Sequence, residues 1–230
     1  MNAATPRRRR MSRPERERQM LEVAEAVFAE RGFRAASMDE IAERCGVSKP
    51  MLYEYFGSKD GLLLACVARS QAELHEVTQK AIAGATTPRD ILWRGMVAYL
   101  SFVDSHSRSF TMLVDEPLSS PPETAAAIED IRRQQSGLIS GVLATFAADA
   151  PPAVVEAYTE IIIGAAERLS LWRTRRPEVP VEEAARYITD FCWTGLRPYL
   201  DEPVTGEAVT DEAVTGGPVT GGGEDRPAPR

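Results

Sequence analysis

The sequence predicts an all-α fold: an N-terminal three-helix unit containing a helix-turn-helix, then a larger helical body, with no β-sheet. Three observations carry this. Between residues 12 and 199, apolar residues recur at spacings of three and four. Helix-start signals recur, with Ser12–Glu15, Ser37–Glu40 and Ser120–Glu123 fitting the S/T-x-x-E capping box and Thr87–Asp90 a looser version. No segment alternates at period two for long, so strands are not expected.

The elements follow in order. After Ser12, the stripe Met20, Leu21, Ala24, Val27, Phe28 predicts a first helix ending at Gly32. Ser37 starts a short helix through Met38, Ile41, Ala42 and Cys45. Gly46-Val47-Ser48 is a three-residue turn, and Ser48 can cap a second short helix over 49–55. Gly57-Ser58 breaks it, and Ser58 caps a long helix with the stripe Leu63, Val67, Ser70, Leu74, Val77, Ala81. Helices are further expected over 88–105, near 108–115, over 121–147, over 151–175 behind Pro151-Pro152, and over 181–197. Residues 202–221 repeat Val-Thr in four pentads with no large apolar residue, so 201–230 reads as a disordered acidic tail.

Charge divides the chain in the same way. The whole carries −7, yet residues 1–18 carry +5 through seven arginines, and residues 201–230 carry −5. A positive end on an acidic body suggests that one end meets a polyanion. The three cysteines and two histidines show no zinc spacing, so no metal and no cofactor are expected. No apolar run approaches the ~18–20 residues of a membrane span, and no signal-peptide core follows Arg7–Arg10. A cytoplasmic protein with reduced thiols and no membrane partner is expected. The domain plan is then a basic arm over 1–11, the helix-turn-helix unit over 12–60, the helical body over 61–200 and the tail over 201–230.

The functional motif is residues 37–59, SMDEIAERCGVSKPMLYEYFGSK. Ile41, Ala42, Val47 and Leu52 would pack two short helices against the first, leaving the outer face of the second free for DNA. Lys49 adds charge at that helix's N-terminus, Tyr53 and Tyr55 supply hydroxyls and flat faces, and Lys59 opens the next helix within reach of a phosphate.

The stretch 37–63, with IA-x-x-x-GVS-x-x-x-LY-x-YF-x-SK-x-x-LL, resembles the DNA-binding domain of the TetR family of transcriptional regulators. The stretch from Phe102 to His106 and on through Phe110, Leu113 and Glu116 is similar to that family's middle helices. The resemblance implies a homodimeric regulator of double-stranded DNA, most often a repressor, released from a palindromic operator by a small effector. By position it implies a phosphate contact for Ser37 and groove entry for Ser48, Lys49, Pro50 and Met51. Lys49 would donate to guanine, and Pro50 and Met51 would touch thymine methyls. It implies backbone contacts for Tyr53 and Tyr55 and a phosphate contact for Lys59. Asp39 departs from the pattern, since some members place a basic base-reading residue there. It is expected to cap its helix instead. Arg7, Arg8, Arg9 and Arg10 form an arm that would reach the minor groove or a phosphate, or simply solubilise the terminus. Met11 offers a second start, which would remove the arm.

For the effector, the body supplies Trp93, Met96, Tyr99, Phe102, Phe110, Tyr158 and Trp172, with His106, Tyr158 and Glu167 as polar candidates. Most of the aromatics must be core. Glu167 lies on the row Glu160–Gly164–Glu167. Facing inward, it would favour a cationic ligand; facing outward, it is a solvated charge. A largely apolar effector is expected. The helices over 151–175 and 181–197 would pair with their copies in a four-helix dimer bundle. No nucleotide-binding glycine loop, H-E-x-x-H or G-x-S-x-G is present, so an enzyme is not expected. The competing reading is a helical adaptor that binds a protein partner rather than DNA.

Overall fold

The computed structural model describes residues 11–106, 122–147 and 149–196. These form eight α-helices and no strand: α1 (Arg13–Arg31), α2 (Met38–Cys45), α3 (Lys49–Phe56), α4 (Lys59–Ile82), α5 (Pro88–Ser105), α6 (Pro122–Phe146), α7 (Pro152–Arg173) and α8 (Val181–Leu196). The arginine arm, the helix near 108–115, Phe110, Ser120 and the acidic tail lie outside the described residues.

Local chemistry sets the helix starts. Ser12 and Glu15 close a reciprocal capping box on α1. The side chains of Ser37, Ser58 and Thr87 accept from the backbone N–H of Glu40, Gly61 and Asp90. Ser48 occupies the N-cap of α3 but its hydroxyl makes no cap bond. Gly46 ends α2 at φ 65, a left-handed conformation that costs an L side chain ~1–2 kcal/mol. Gly61 answers a close approach: a Cβ there would collide with the carbonyl oxygen of Phe56, where α3 turns into α4.

Two cores result. The N-terminal one gathers Met20, Ala24, Val27 and Phe28 of α1, Ile41 of α2 and Leu52 of α3, each at most 1% exposed. Leu62, Leu63, Cys66 and Val67 of α4, all 0% exposed, complete it, together with Ile128 of α6 at 1%. Each large apolar side chain among them contributes about 1.5–3 kcal/mol by leaving water. The second core joins Met96 and Leu100 of α5, Leu143 of α6, Ile162 and Ala166 of α7, and Ala184, Ala185, Ile188, Cys192 and Leu196 of α8.

The stripe expected along α4 drifts. Leu63, Val67 and Ser70 are buried, but Val77 is 41% exposed. A 4-3-4-3 spacing repeats every 3.5 residues while an α-helix turns every 3.6, so the row rotates by ~20° per heptad. By the C-terminal half of α4 the inward row has moved to Gln71, Leu74, His75, Thr78 and Ile82.

The outer edge of the body is fixed by the Arg173 guanidinium, which grips both carboxylate oxygens of Asp104, one at 2.7 Å from Nη2. This joins the C-terminal ends of α5 and α7. Tyr158 donates to the carbonyl of Gly195 at 2.9 Å and ties α7 to α8.

Candidate nucleic-acid interface and ligand cavity

The helix-turn-helix is built as its pattern requires. The turn closes with Val47 N–H on the Ala42 carbonyl at 3.0 Å, and Ile41 and Leu52 lock α2 and α3 onto α1. The outward face then presents Ser48, Lys49, Pro50, Met51 and Tyr53, all of them exposed. The unspent hydroxyl of Ser48 sits at the start of α3. Ser37 is also exposed, and its Oγ accepts from Glu40 N–H, which leaves its proton to donate outward.

Three residues stand elsewhere than expected. Asp39 does not cap α2, because Ser37 already does. Its Oδ2 instead accepts from Lys49 Nζ at 2.9 Å. That bond holds the Lys49 ammonium above its ordinary pKa. Tyr55 is half-buried against the N-terminal core, with the Arg13 guanidinium 5.1 Å from its ring centroid, so only part of it faces out. Lys59 turns inward. Its Nζ donates to the carbonyls of Phe33, Arg34 and Ala36 at 2.9, 3.4 and 3.1 Å and lies 4.5 Å from the Phe33 ring centroid. Three donors spent on carbonyls leave none for a phosphate. In this geometry Lys59 is a clamp that holds the 33–36 turn to the start of α4. Lys59→Met should therefore cost about 1.5–3 kcal/mol in denaturant unfolding while leaving the ranking of DNA sequences unchanged.

The second feature is a partly open cavity of about 180 Å³ lined by α4, α5, α6, α7 and α8. Of the residues expected to meet an effector, Met96, Tyr99, Phe102 and Glu167 line it. Trp93 and Tyr158 pack on the second core instead, and Tyr158 spends its hydroxyl on Gly195. His106 ends α5, stacked on Phe102 at 4.1 Å, with Nε2 3.9 Å from a Glu73 carboxylate oxygen. Trp172 is half-buried near the end of α7 and does not line the cavity. The Glu160–Gly164–Glu167 row splits, because Glu160 and Gly164 are exposed while Glu167 is half-buried at the cavity wall. Sequence reasoning missed Gln71, His75, Thr78, Ser136 and Trp193, which also line it.

Thr124 donates to Asp60 at 3.0 Å, which sets α6 beside α4, and Ser140 bonds Thr159 at 3.0 Å, which sets α7 beside α6. The cavity wall is mostly apolar, and its polar side chains, Gln71, His75, Thr78, Ser136 and Glu167, are spread over α4, α6 and α7.

Other chemistry is sparse. Cys45, Cys66 and Cys192 are buried, and burial pushes each thiol up from its ordinary pKa, so none is primed as a nucleophile. Among the described residues no cluster of His, Cys, Asp and Glu is placed to hold a metal, and no helix is long and apolar enough to cross a membrane.

A helix-turn-helix carried on a helical body with a mostly apolar cavity defines a class of DNA-binding regulator, and comparison with known proteins agrees. Residues 20–66 match the family model of bacterial regulatory proteins of the tetR family, and residues 88–195 match the tetracyclin repressor-like C-terminal domain. The crystal structure of a TetR-like transcriptional regulator from Rhodococcus sp. RHA1 is 32% identical, covering 82% of this chain and 99% of that one with a TM-score of 0.66. The chain belongs to the TetR family of transcriptional regulators. The HTH-type transcriptional activator FasR of Mycolicibacterium smegmatis is 37% identical over 120 residues. That match spans about half of each protein, 52% of this chain and 55% of the relative. FadR of Bacillus subtilis, solved in complex with stearoyl-CoA, shares the fold at 18% identity and a TM-score of 0.70 over 77% of this chain and 98% of that one.

Proposed function

We propose that this chain is a dimeric repressor that binds a palindromic operator and leaves it when a small, largely apolar effector fills the cavity. One observation carries the reading. Helix α4 starts inside the recognition unit, with Leu62, Leu63, Cys66 and Val67 in its core, and ends in the cavity wall at Ile82. Anything that displaces one end of α4 reorients the other.

Magnitudes support this. An apolar cavity of about 150 Å³ holds a benzene ring, so 180 Å³ admits a single ring or a short alkyl chain as it stands. A larger ligand must push the walls apart, and α4 is one of them. Burying a Phe-sized body, about 150–250 Å², yields about 4–6 kcal/mol at ~25 cal/mol per Å². A swing from 1:99 to 99:1 needs ~5.5 kcal/mol of differential binding. A hydrophobic ligand that fits only the released state can supply it. A mostly apolar wall with a few polar side chains suits a ligand with one polar group and an apolar remainder. Stearoyl-CoA, the molecule solved with FadR of Bacillus subtilis, has that build, which supports the reading.

The dimer is assigned to α7 and α8, which leave Ile161 47%, Tyr187 45% and Phe191 71% exposed on one chain. The adaptor reading is disfavoured by Lys49 and the open hydroxyl of Ser48 at the start of α3, groups that suit base edges and phosphates.

The test begins with a duplex selected by the protein from a randomised pool. Release of that labelled duplex is then measured against hydrophobic compounds, metals, sugars and amino acids. Saturable release by a hydrophobic compound is the expected result. Release by a metal or a sugar alone would overturn the effector reading.

A further inference from the structure

We propose that Asp39 reads sequence: its carboxylate, held beside Lys49 at the mouth of the helix-turn-helix, accepts from a cytosine N4 amino group while Lys49 donates to the paired guanine. This rests on reading α3 as the helix that enters the major groove.

The position of Asp39 leaves it no structural duty. Ser37 supplies the cap of α2. Glu40, not Asp39, takes up Arg31 and Arg44. Asp39 is 72% exposed, and an ion pair that open to water contributes little stability. What the pair does have is placement. Asp39 stands in the first turn of α2 and Lys49 is the first residue of α3, so an acceptor and a donor lie 2.9 Å apart on the DNA-facing surface. Only Oδ2 is engaged by Lys49, which leaves Oδ1 to accept from outside.

That arrangement is the complement of a G·C pair. In the major groove guanine offers O6 and N7 as acceptors, and the adjoining cytosine N4 offers a donor. A Lys–Asp couple meets both edges. Thymine presents a methyl and an acceptor, which a carboxylate cannot satisfy. A carboxylate without a donor partner in the groove is also repelled by the phosphates, so every mismatched or non-specific complex is penalised. Asp39 then discriminates against wrong sequences as much as it favours the right one.

The experiment uses the full-length chain. Wild type and Asp39→Ala are each taken through selection from a randomised duplex pool. Affinities are then measured on the wild-type duplex and on the same duplex with 2-pyrimidinone, which is cytosine without its exocyclic amine, at the preferred cytosine. Wild type should lose about 5- to 150-fold on removal of the amine. Asp39→Ala should be indifferent to the amine and should bind unrelated duplexes more tightly than wild type does. Thermal unfolding of the two proteins should coincide, as expected for so exposed a substitution. Equal sensitivity to the amine in both proteins, or a preference for adenine or thymine at the position that Asp39→Ala relaxes, would overturn the assignment. If wild type enriches no sequence at all, the failure lies with the DNA-binding reading itself.

Discussion

Phe191→Asp should convert the protein to a monomer. In a single chain Phe191 is 71% exposed on α8, with Tyr187 one turn away at 45% and Ile161 of the neighbouring α7 at 47%. A side chain this exposed contributes little to its own subunit, so the substitution leaves the folded chain almost untouched. In a two-fold assembly it counts twice. Losing two buried phenyl groups removes about 3–6 kcal/mol, or about two to four decades in the dimer constant, before the cost of burying two carboxylates. Light scattering at micromolar concentration should report the monomer mass. Operator affinity should fall by about 10²–10⁴, because the second half-site is no longer tethered to the first. A Phe191→Asp protein that stays dimeric would place the interface elsewhere.

Leu52→Ala should have the largest effect on the recognition unit. Leu52 is the one buried residue of α3 and is 0% exposed. With so short a helix anchored by a single side chain, the space left by the lost carbons is not refilled by neighbours on α3. The expected cost is about 2–5 kcal/mol. Specific DNA binding should be lost while the dimer mass is kept, since α7 and α8 belong to the other core. Urea unfolding together with light scattering separates the two effects. A loss below about 1 kcal/mol would mean that α3 is held by its turn and not by its core contact.

The role of Leu52 is legible in the sequence, because the turn, the caps and the strict spacing around Gly46 leave only one way to fold 37–59. The long helices are legible too, since each has a start signal and an apolar stripe. Which face of α7 points inward is not. It is apolar nearly all round, so periodicity cannot select between the row Val154–Tyr158–Ile161–Ala165 and the row Thr159–Ile162–Ala166–Ser170 that is actually buried. The polar part of the cavity lining is hidden for a related reason. Gln71, His75 and Thr78 look like a solvated helix face until α5 and α6 are laid against α4. The inward turn of Lys59 escapes sequence reasoning because its partners are backbone carbonyls at 33–36, and no side-chain pattern announces those. Asp39 misleads because Ser37, two residues earlier, already satisfies the cap.

The involvement of α4 and α6 in the N-terminal core changes what can be moved from this protein to another. The segment matched by the DNA-binding family model ends at residue 66. The physical unit does not end there. Val67 of α4 and Ile128 of α6, at 0% and 1% exposure, belong to the same cluster as Met20 and Phe28, on which the recognition helix rests. A chimera that joins residues 1–66 to a foreign body would strip those two side chains away and leave the donor's core open to water. A working graft must carry α4 whole and supply an apolar side chain where Ile128 reaches across. For this regulator, exchangeability is set by a helix junction far downstream of the motif that touches DNA.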